Sequence, residues 1–352
     1  MFAILYLFAV FSGFCLKRLN VLFSIGIIIL ISFICYGVKD RDFEQYQIVY
    51  DYIKEGNQYT DLGIAWAQMC KAAGWMGLDY ASFKLIVIII SLVIIYKAIN
   101  SFLYSKSGIP FFWSCFLIFP LFLDLVQVRF FFAESILLFG FQYLLKNNKT
   151  GKWKFILLVL LASSIHSSIF FFLIFILIPY VDKFKKKMPF LVSILCIISF
   201  YAPSIAVSLA TKFINVNRIE RYFFSSDRTG FLGIITAILT LYCFLFITKK
   251  IRDSEIIDKN FGDFLYKSNL LMWFLLPIVF FDPNIFRIQR PMWLMLYIEA
   301  ISFTQQSHSP YLLIWKKKKI HIKQFIFLLA IFGNLAFITI YSFDIIQKFL
   351  FH

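Results

Sequence analysis

Charge is scarce in this chain: Asp, Glu, Lys and Arg make up 15% of its 352 residues, against 61% hydrophobic ones. That balance excludes a solvated, disordered polymer. Short strands of alternating polarity are also missing, which excludes a membrane β-barrel. Cysteines are few, and Cys15, Cys35, Cys70, Cys115, Cys196 and Cys243 have no paired spacing. Neither a disulfide framework nor a zinc site is indicated. No cleavable leader is expected, because Lys17 and Arg18 follow the first apolar stretch rather than precede it.

What the chain has instead is apolar length, including 47 Phe. Crossing a bilayer takes roughly 18 to 20 such residues. Apolar segments run over Phe2–Leu16, Val21–Tyr36, Phe83–Leu103, Ile109–Leu123, Phe130–Leu145 and Phe155–Tyr180. Further ones are Pro189–Leu209, Phe231–Thr248, Leu265–Phe281, Met292–Phe303 and Ile322–Tyr341. The expected fold is all-α: a polytopic helical integral membrane protein, one transmembrane domain over residues 1–352, with about 11–12 transmembrane helices.

Lysines set the topology. Lys106, the Lys146/Lys149/Lys152/Lys154 group, Lys183 to Lys187, Lys249 to Arg252 and Lys316 to Lys319 mark cytoplasmic loops. This is consistent only if Phe155–Tyr180 enters and leaves on the cytoplasmic side, since lysines flank both its ends. The segment therefore reads as a hairpin or broken helix turning near Ser163 to Ser168, or as two short antiparallel helices. Its turn sequence Ser163-Ser164-Ile165-His166-Ser167-Ser168 supplies polar side chains for irregular backbone at that depth. Both termini then lie outside, and the external loops are 37–82, 124–129, 210–230 and 282–291, with the hairpin tip.

Arginines run the other way. Seven of nine, Arg41, Arg129, Arg218, Arg221, Arg228, Arg287 and Arg290, fall in the external loops, against the insertion preference. A guanidinium is a planar fork suited to phosphate or carboxylate, whereas an ammonium is a point charge. An anionic ligand outside is one reading. The alternative is that each arginine pairs with a nearby acid such as Asp42, Glu220, Asp227 or Asp282. Arg129, Arg287 and Arg290 are the leading ligands, and Arg218 and Arg221 sit in a longer, more solvated loop. The net charge of +16 is split between two sides of a membrane, so nucleic acid is not an expected partner.

Other polar residues collect near the same face. Asp40 and Asp42 form an acidic pair that either holds a cation, acts as a base or pairs with Arg41, and Tyr46 and Tyr50 follow. Leu62 to Trp75 carries Leu62, Trp66, Met69 and Cys70 at helical spacing, with Gly74 as the expected stop, and reads as an amphipathic surface helix. Asp124, Gln127 and Arg129 stand at the mouth of a helix that carries Glu134 about two turns in. His166, at membrane depth in the serine-rich break, is either structural or a general base. In Asp282-Pro283-Asn284-Ile285-Phe286-Arg287-Ile288-Gln289-Arg290-Pro291 the prolines bar a continuous helix and hold both guanidinium groups near the membrane surface.

Asp42, Tyr46 and Tyr50 in the first external loop, Arg129 opening a span, His166 to Ser168 and the late pair Arg287 and Arg290 together resemble the EpsG family. That family belongs to the Wzy-type polymerases of O-antigen, capsule and other bacterial surface polysaccharides. Where the family often has Arg-Gln, this chain has Arg129-Phe130. The resemblance implies a GT-C-like membrane glycosyltransferase at the periplasmic face of the cytoplasmic membrane, joining undecaprenyl-pyrophosphate-linked repeat units. It implies Arg129, Arg287 and Arg290 on pyrophosphate, His166 or Asp42 as base, and Arg221, Arg218, Tyr46 and Glu134 as further substrate contacts. No cofactor is required, since the donor is already activated. A chain-length regulator and a flippase of the same pathway are the protein partners implied. A lipid-linked oligosaccharide flippase and a sugar O-acyltransferase using His166 remain the alternatives.

Overall fold

The computed structural model describes residues 2–16, 20–40, 42–57, 63–146, 148–201, 231–253, 259–280, 283–306, 311–315, 318–341 and 344–351. They are helical apart from short connections and one antiparallel ribbon, Tyr311–Trp315 against Lys318–His321. The all-α expectation holds. Among the described residues, four helical stretches are long and apolar enough to cross a membrane: Tyr80–Phe102, Val128–Leu145, Ser167–Phe184 and Gly233–Arg252. Phe2–Cys15, Asn20–Cys35, Met188–Phe200 and Ile322–Leu335 are shorter apolar helices. Other expected spans are broken. Ile109–Leu123 divides into two helices at the cis Phe119–Pro120 bond, and Leu265–Phe281 is interrupted by a 3₁₀ turn at Trp273–Leu275.

The chain forms two compact units, Met1–Leu173 with Trp293–His352, and Ile174–Met292. In the N-terminal part of the first unit the α-helices are α1 (Phe2–Cys15), α2 (Asn20–Cys35), α3 (Phe43–Lys54), α4 (Ile64–Trp75), α5 (Tyr80–Phe102), α6 (Ile109–Ile118), α7 (Leu121–Val126), α8 (Val128–Leu145) and α9 (Lys149–Ile165). Apolar helices that meet in a low-dielectric medium are joined by their few polar groups, because an unmet donor is expensive there. Trp113 Nε1 on α6 donates to Ser24 Oγ on α2 at 2.9 Å, and Ser114 Oγ donates to the Val10 carbonyl of α1 at 2.7 Å. Tyr297 Oη, on the helix Arg290–Gln306, donates to the Phe119 carbonyl at 2.9 Å, just where α6 ends.

The segment Phe155–Tyr180 is a hairpin. His166 breaks off α9 with extended backbone (φ −140°, ψ 110°), and a 3₁₀ segment, Ser167–Tyr180, follows. Phe130, at one end of α8, lies against the His166 ring. Phe141, about 16 Å further along α8, stacks on Phe155 of α9 at 6.0 Å and meets Phe172 edge-on at 5.9 Å. Had the chain run on past His166, Phe172 would stand far from Phe141. Instead the chain doubles back after His166, and the six 3₁₀ residues to Phe172, about 12 Å at about 2.0 Å each, bring its ring within reach of Phe141.

In the second unit, Phe231–Arg252 packs on Lys259–Met272, and the Arg252 guanidinium lies 3.8 Å over the Tyr266 ring. Lys267 Nζ bridges Asp182 at 2.6 Å and Asp263 at 2.7 Å. Near the end of this unit the 3₁₀ segment Pro283–Gln289 runs directly into the helix Arg290–Gln306. The irregular loop expected there is instead helical throughout its described part. Pro291 is accommodated because it is the second residue of an α-helix, where its missing N–H leaves no bond unmade.

Candidate functional site

The described part of the loop expected at 37–82 is built around two helices, α3 and α4. α3 is held by Phe43, Tyr50 and Ile53, which are buried, and α4 by Trp66, Cys70 and Ala73. Rings weld the two to the start of α5: Phe43 to Tyr80 at 5.0 Å, Tyr50 to Phe83 at 5.4 Å and Trp66 to Phe83 at 5.2 Å. α3 ends at Gly56 (φ +92°) and α4 at Gly77 (φ +75°), left-handed positions that suit glycine. Gly74 is therefore not the stop; α4 runs through it to Trp75.

Asp40 is not an open acid. Its carboxylate is ion-paired with Lys84, on the second turn of α5, with Asp40 5% and Lys84 4% exposed. An ammonium in an apolar helix requires such a partner. The other carboxylate oxygen accepts the backbone N–H of Asp42 at 3.1 Å, and the Lys84 ammonium sits 5.5 Å over the Phe43 ring. Of the two acids of the Asp40–Asp42 pair, Asp40 is therefore committed to Lys84, and Asp42 lies half-buried at the start of α3. Tyr80 lies within electrostatic range of Tyr46, Asp40, Cys70 and Asp42, so these residues form one cluster.

α4 joins this cluster to the hairpin. Its first flanking residue, Gly63, is pressed against the end of α9: a Cβ there would stand 2.7 Å from the Ser164 carbonyl carbon and 2.9 Å from the Ile165 oxygen. Further along α4, Cys70 lies beside Arg129. Burial pushes the Cys70 thiol up to about 12, and the Arg129 charge opposes that rise.

Arg129 is the second residue of α8, whose first turn holds no acidic residue and whose N-cap, Gln127, makes no side-chain capping bond. A cation at the positive end of a helix dipole is unfavourable unless an anion joins it. Arg129 Nε is buried with no hydrogen-bond partner among the described residues. The next residue, Phe130, meets the His166 ring edge-on, with centroids 5.3 Å apart. His166 Nδ1 shares a 2.7 Å hydrogen bond with Ser168 Oγ. The Phe130 contact thus sets the start of α8, which carries Arg129, against the turn at His166. The hydroxyls of Ser163 and Ser164, expected to line a cavity, donate instead to the Val159 and Leu161 carbonyls of α9.

The loop expected at 124–129 scarcely exists, because α7 ends at Val126 and α8 starts at Val128. Asp124 and Glu134 are both fully buried, Glu134 in the second turn of α8. In the second unit Arg290 opens its helix at 4% exposure, again with no acid in the first turn, and Arg287 precedes it within the 3₁₀ segment. Arg41, Arg218, Arg221, Arg228 and Asp282 lie outside the described residues.

Compared with known families, the chain matches the EpsG family over residues 20–350. It belongs to the EpsG family. No curated protein and no solved structure matches it. EpsG-type proteins are Wzy-like polymerases, and membership makes this chain a membrane protein of polysaccharide biosynthesis. The EpsG resemblance read from Asp42, Tyr46, Arg129, His166 and the late arginines is therefore correct at the level of family. Reading the sequence for sites missed Lys84, a single charge at the start of an apolar run. The available signal for Lys84 was a charge inside a predicted span, which always requires a partner.

Proposed function

We propose that this EpsG-family chain is a glycosyltransferase that polymerises undecaprenyl-pyrophosphate-linked oligosaccharide repeat units at the outer face of the cytoplasmic membrane. The observation that carries this reading is the Phe130–His166 contact, which sets the helix N-terminus carrying Arg129 against the turn that carries the imidazole. It offers an anion site and a proton acceptor at one membrane depth.

In this reaction the acceptor hydroxyl oxygen attacks the anomeric carbon of the donor glycan. The bond from that carbon to the pyrophosphate oxygen breaks, and the lipid pyrophosphate leaves with the electron pair. Guanidinium groups neutralise the charge that grows on pyrophosphate, with Arg129 the candidate of the first unit and Arg287 and Arg290 those of the second, the kind of contribution that is largest where water is excluded. His166 takes the hydroxyl proton on Nε2, the unprotonated ring nitrogen of the tautomer in which Nδ1–H donates to Ser168 Oγ. Asp42 is the alternative base. Tyr46 and Glu134 belong to substrate contact and support, and Arg218 and Arg221 to the outer loop that meets the glycan.

Reconstitution tests this directly. Purified chain in liposomes with lipid-linked repeat units gives products two or more units long, with release of lipid pyrophosphate. Transfer of intact single units across the bilayer without lengthening supports the flippase reading instead.

A further inference from the structure

Between Arg287 and Arg290 stands a residue that the function above does not use. Gln289 is 1% exposed, and neither its amide oxygen nor its amide nitrogen has a hydrogen-bond partner among the described residues. Buried polar groups are almost always bonded, so an amide with both ends unmet calls for a specific explanation. A residue needed only to fill space there would be Leu or Met, of similar size and with nothing to satisfy.

The chemistry of the amide indicates what it meets. Phosphate oxygens need donors only, which the guanidinium groups of Arg287 and Arg290 supply. A carboxamide adds an acceptor as well as donors, the complement of a hydroxyl group, which also gives and takes a hydrogen bond. A hydroxylated sugar joined directly to phosphate presents both needs within a few bonds. Gln289 is next in sequence to Arg290, which opens the following helix, and closes the 3₁₀ segment Pro283–Gln289, so its position relative to both arginines is fixed by regular backbone.

We infer that Gln289 hydrogen-bonds a hydroxyl of the sugar attached to the pyrophosphate that Arg287 and Arg290 hold. The inference rests on the reading of those arginines as pyrophosphate ligands. It makes Gln289 a specificity residue, one that separates a glycosylated lipid pyrophosphate from the bare carrier.

The test compares binding of two probes, undecaprenyl pyrophosphate with and without its oligosaccharide, to wild-type protein, Gln289→Leu, Gln289→Met and Arg290→Ala in detergent. Both Gln289 variants weaken the glycosylated probe by about tenfold or more and leave the bare carrier unchanged. Their melting temperatures stay at or above wild type, because an unmet polar group has been removed. Arg290→Ala weakens both probes. Equal loss of the two probes in Gln289→Leu and Gln289→Met, or no loss of either, overturns the inference, as does a lowered melting temperature in both variants with unchanged probe preference. Retention of both probes by Arg290→Ala defeats the underlying reading of the arginines instead.

Discussion

Phe130 and His166 stand edge to face, ring centroids 5.3 Å apart and planes at 88°, so the residue that follows Arg129 is the one that braces the hairpin's turn. The helix start that carries the proposed anion ligand and the turn that carries the proposed base are thereby joined through an aromatic contact. An aromatic pair of this kind contributes about 0.5–1.5 kcal/mol beyond its buried area.

Removing the guanidinium is expected to abolish polymerisation without disturbing insertion. Arg129→Ala and Arg290→Ala each lower the rate of chain extension by about 10²–10³-fold, the range seen when one charge-stabilising donor is lost. Arg129→Lys recovers part of the rate, since it keeps the charge and loses the fork. Normal extension by well-inserted alanine variants in liposomes contradicts the assignment.

His166→Ala is expected to slow extension by about 10²–10⁴-fold. Ser168→Ala falls less, because it removes the partner that orients Nδ1 and leaves Nε2 in place. If both variants extend chains at the wild-type rate, Asp42 becomes the base to test, by Asp42→Asn.

Gly63→Ala tests the docking of α4 on the hairpin. A methyl group 2.7 Å from the Ser164 carbonyl carbon must push the two apart. Cys70, 1% exposed and with its thiol pushed up to about 12, is almost wholly protonated and shielded at pH 8. In the wild type it resists maleimide, whereas in Gly63→Ala it labels and chain extension falls. Unchanged labelling in Gly63→Ala speaks against the close approach.

How much of this was legible beforehand varies by residue. The hairpin was, because Lys154 and Lys183 to Lys187 flank one apolar run and cannot lie on opposite sides. Arg129 and His166 were legible as types, but the packing of their two segments was not, since it depends on Phe130, Phe141 and Phe172 holding the hairpin against α8. α3 was not legible: its opening alternates charge, and its helix is stabilised by aromatic contacts to α5 that lie far along the chain. Asp40 was misread as a member of an acidic pair because its partner, Lys84, is 44 residues away and sits inside an apolar run.

The Asp40–Lys84 pair predicts an asymmetry between single and double variants. Lys84→Met or Asp40→Asn alone disrupts a buried pair, a loss of about 3–5 kcal/mol where an uncompensated charge remains. The double variant Asp40→Asn/Lys84→Met removes both charges and recovers much of that. Thermal unfolding in detergent measures it, and a double variant no better than the worse single one contradicts the pairing.

The central claim is polymerisation, and the most direct measurement is the length distribution of surface glycan, resolved on a gel, from a strain lacking this chain. Complementation is with the wild type or with Arg129→Ala. The account predicts glycans that stop at one repeat unit in the deletion strain and with Arg129→Ala, and a full ladder with the wild type. A complete loss of surface repeats in the deletion strain, or a full ladder without this chain, would contradict it.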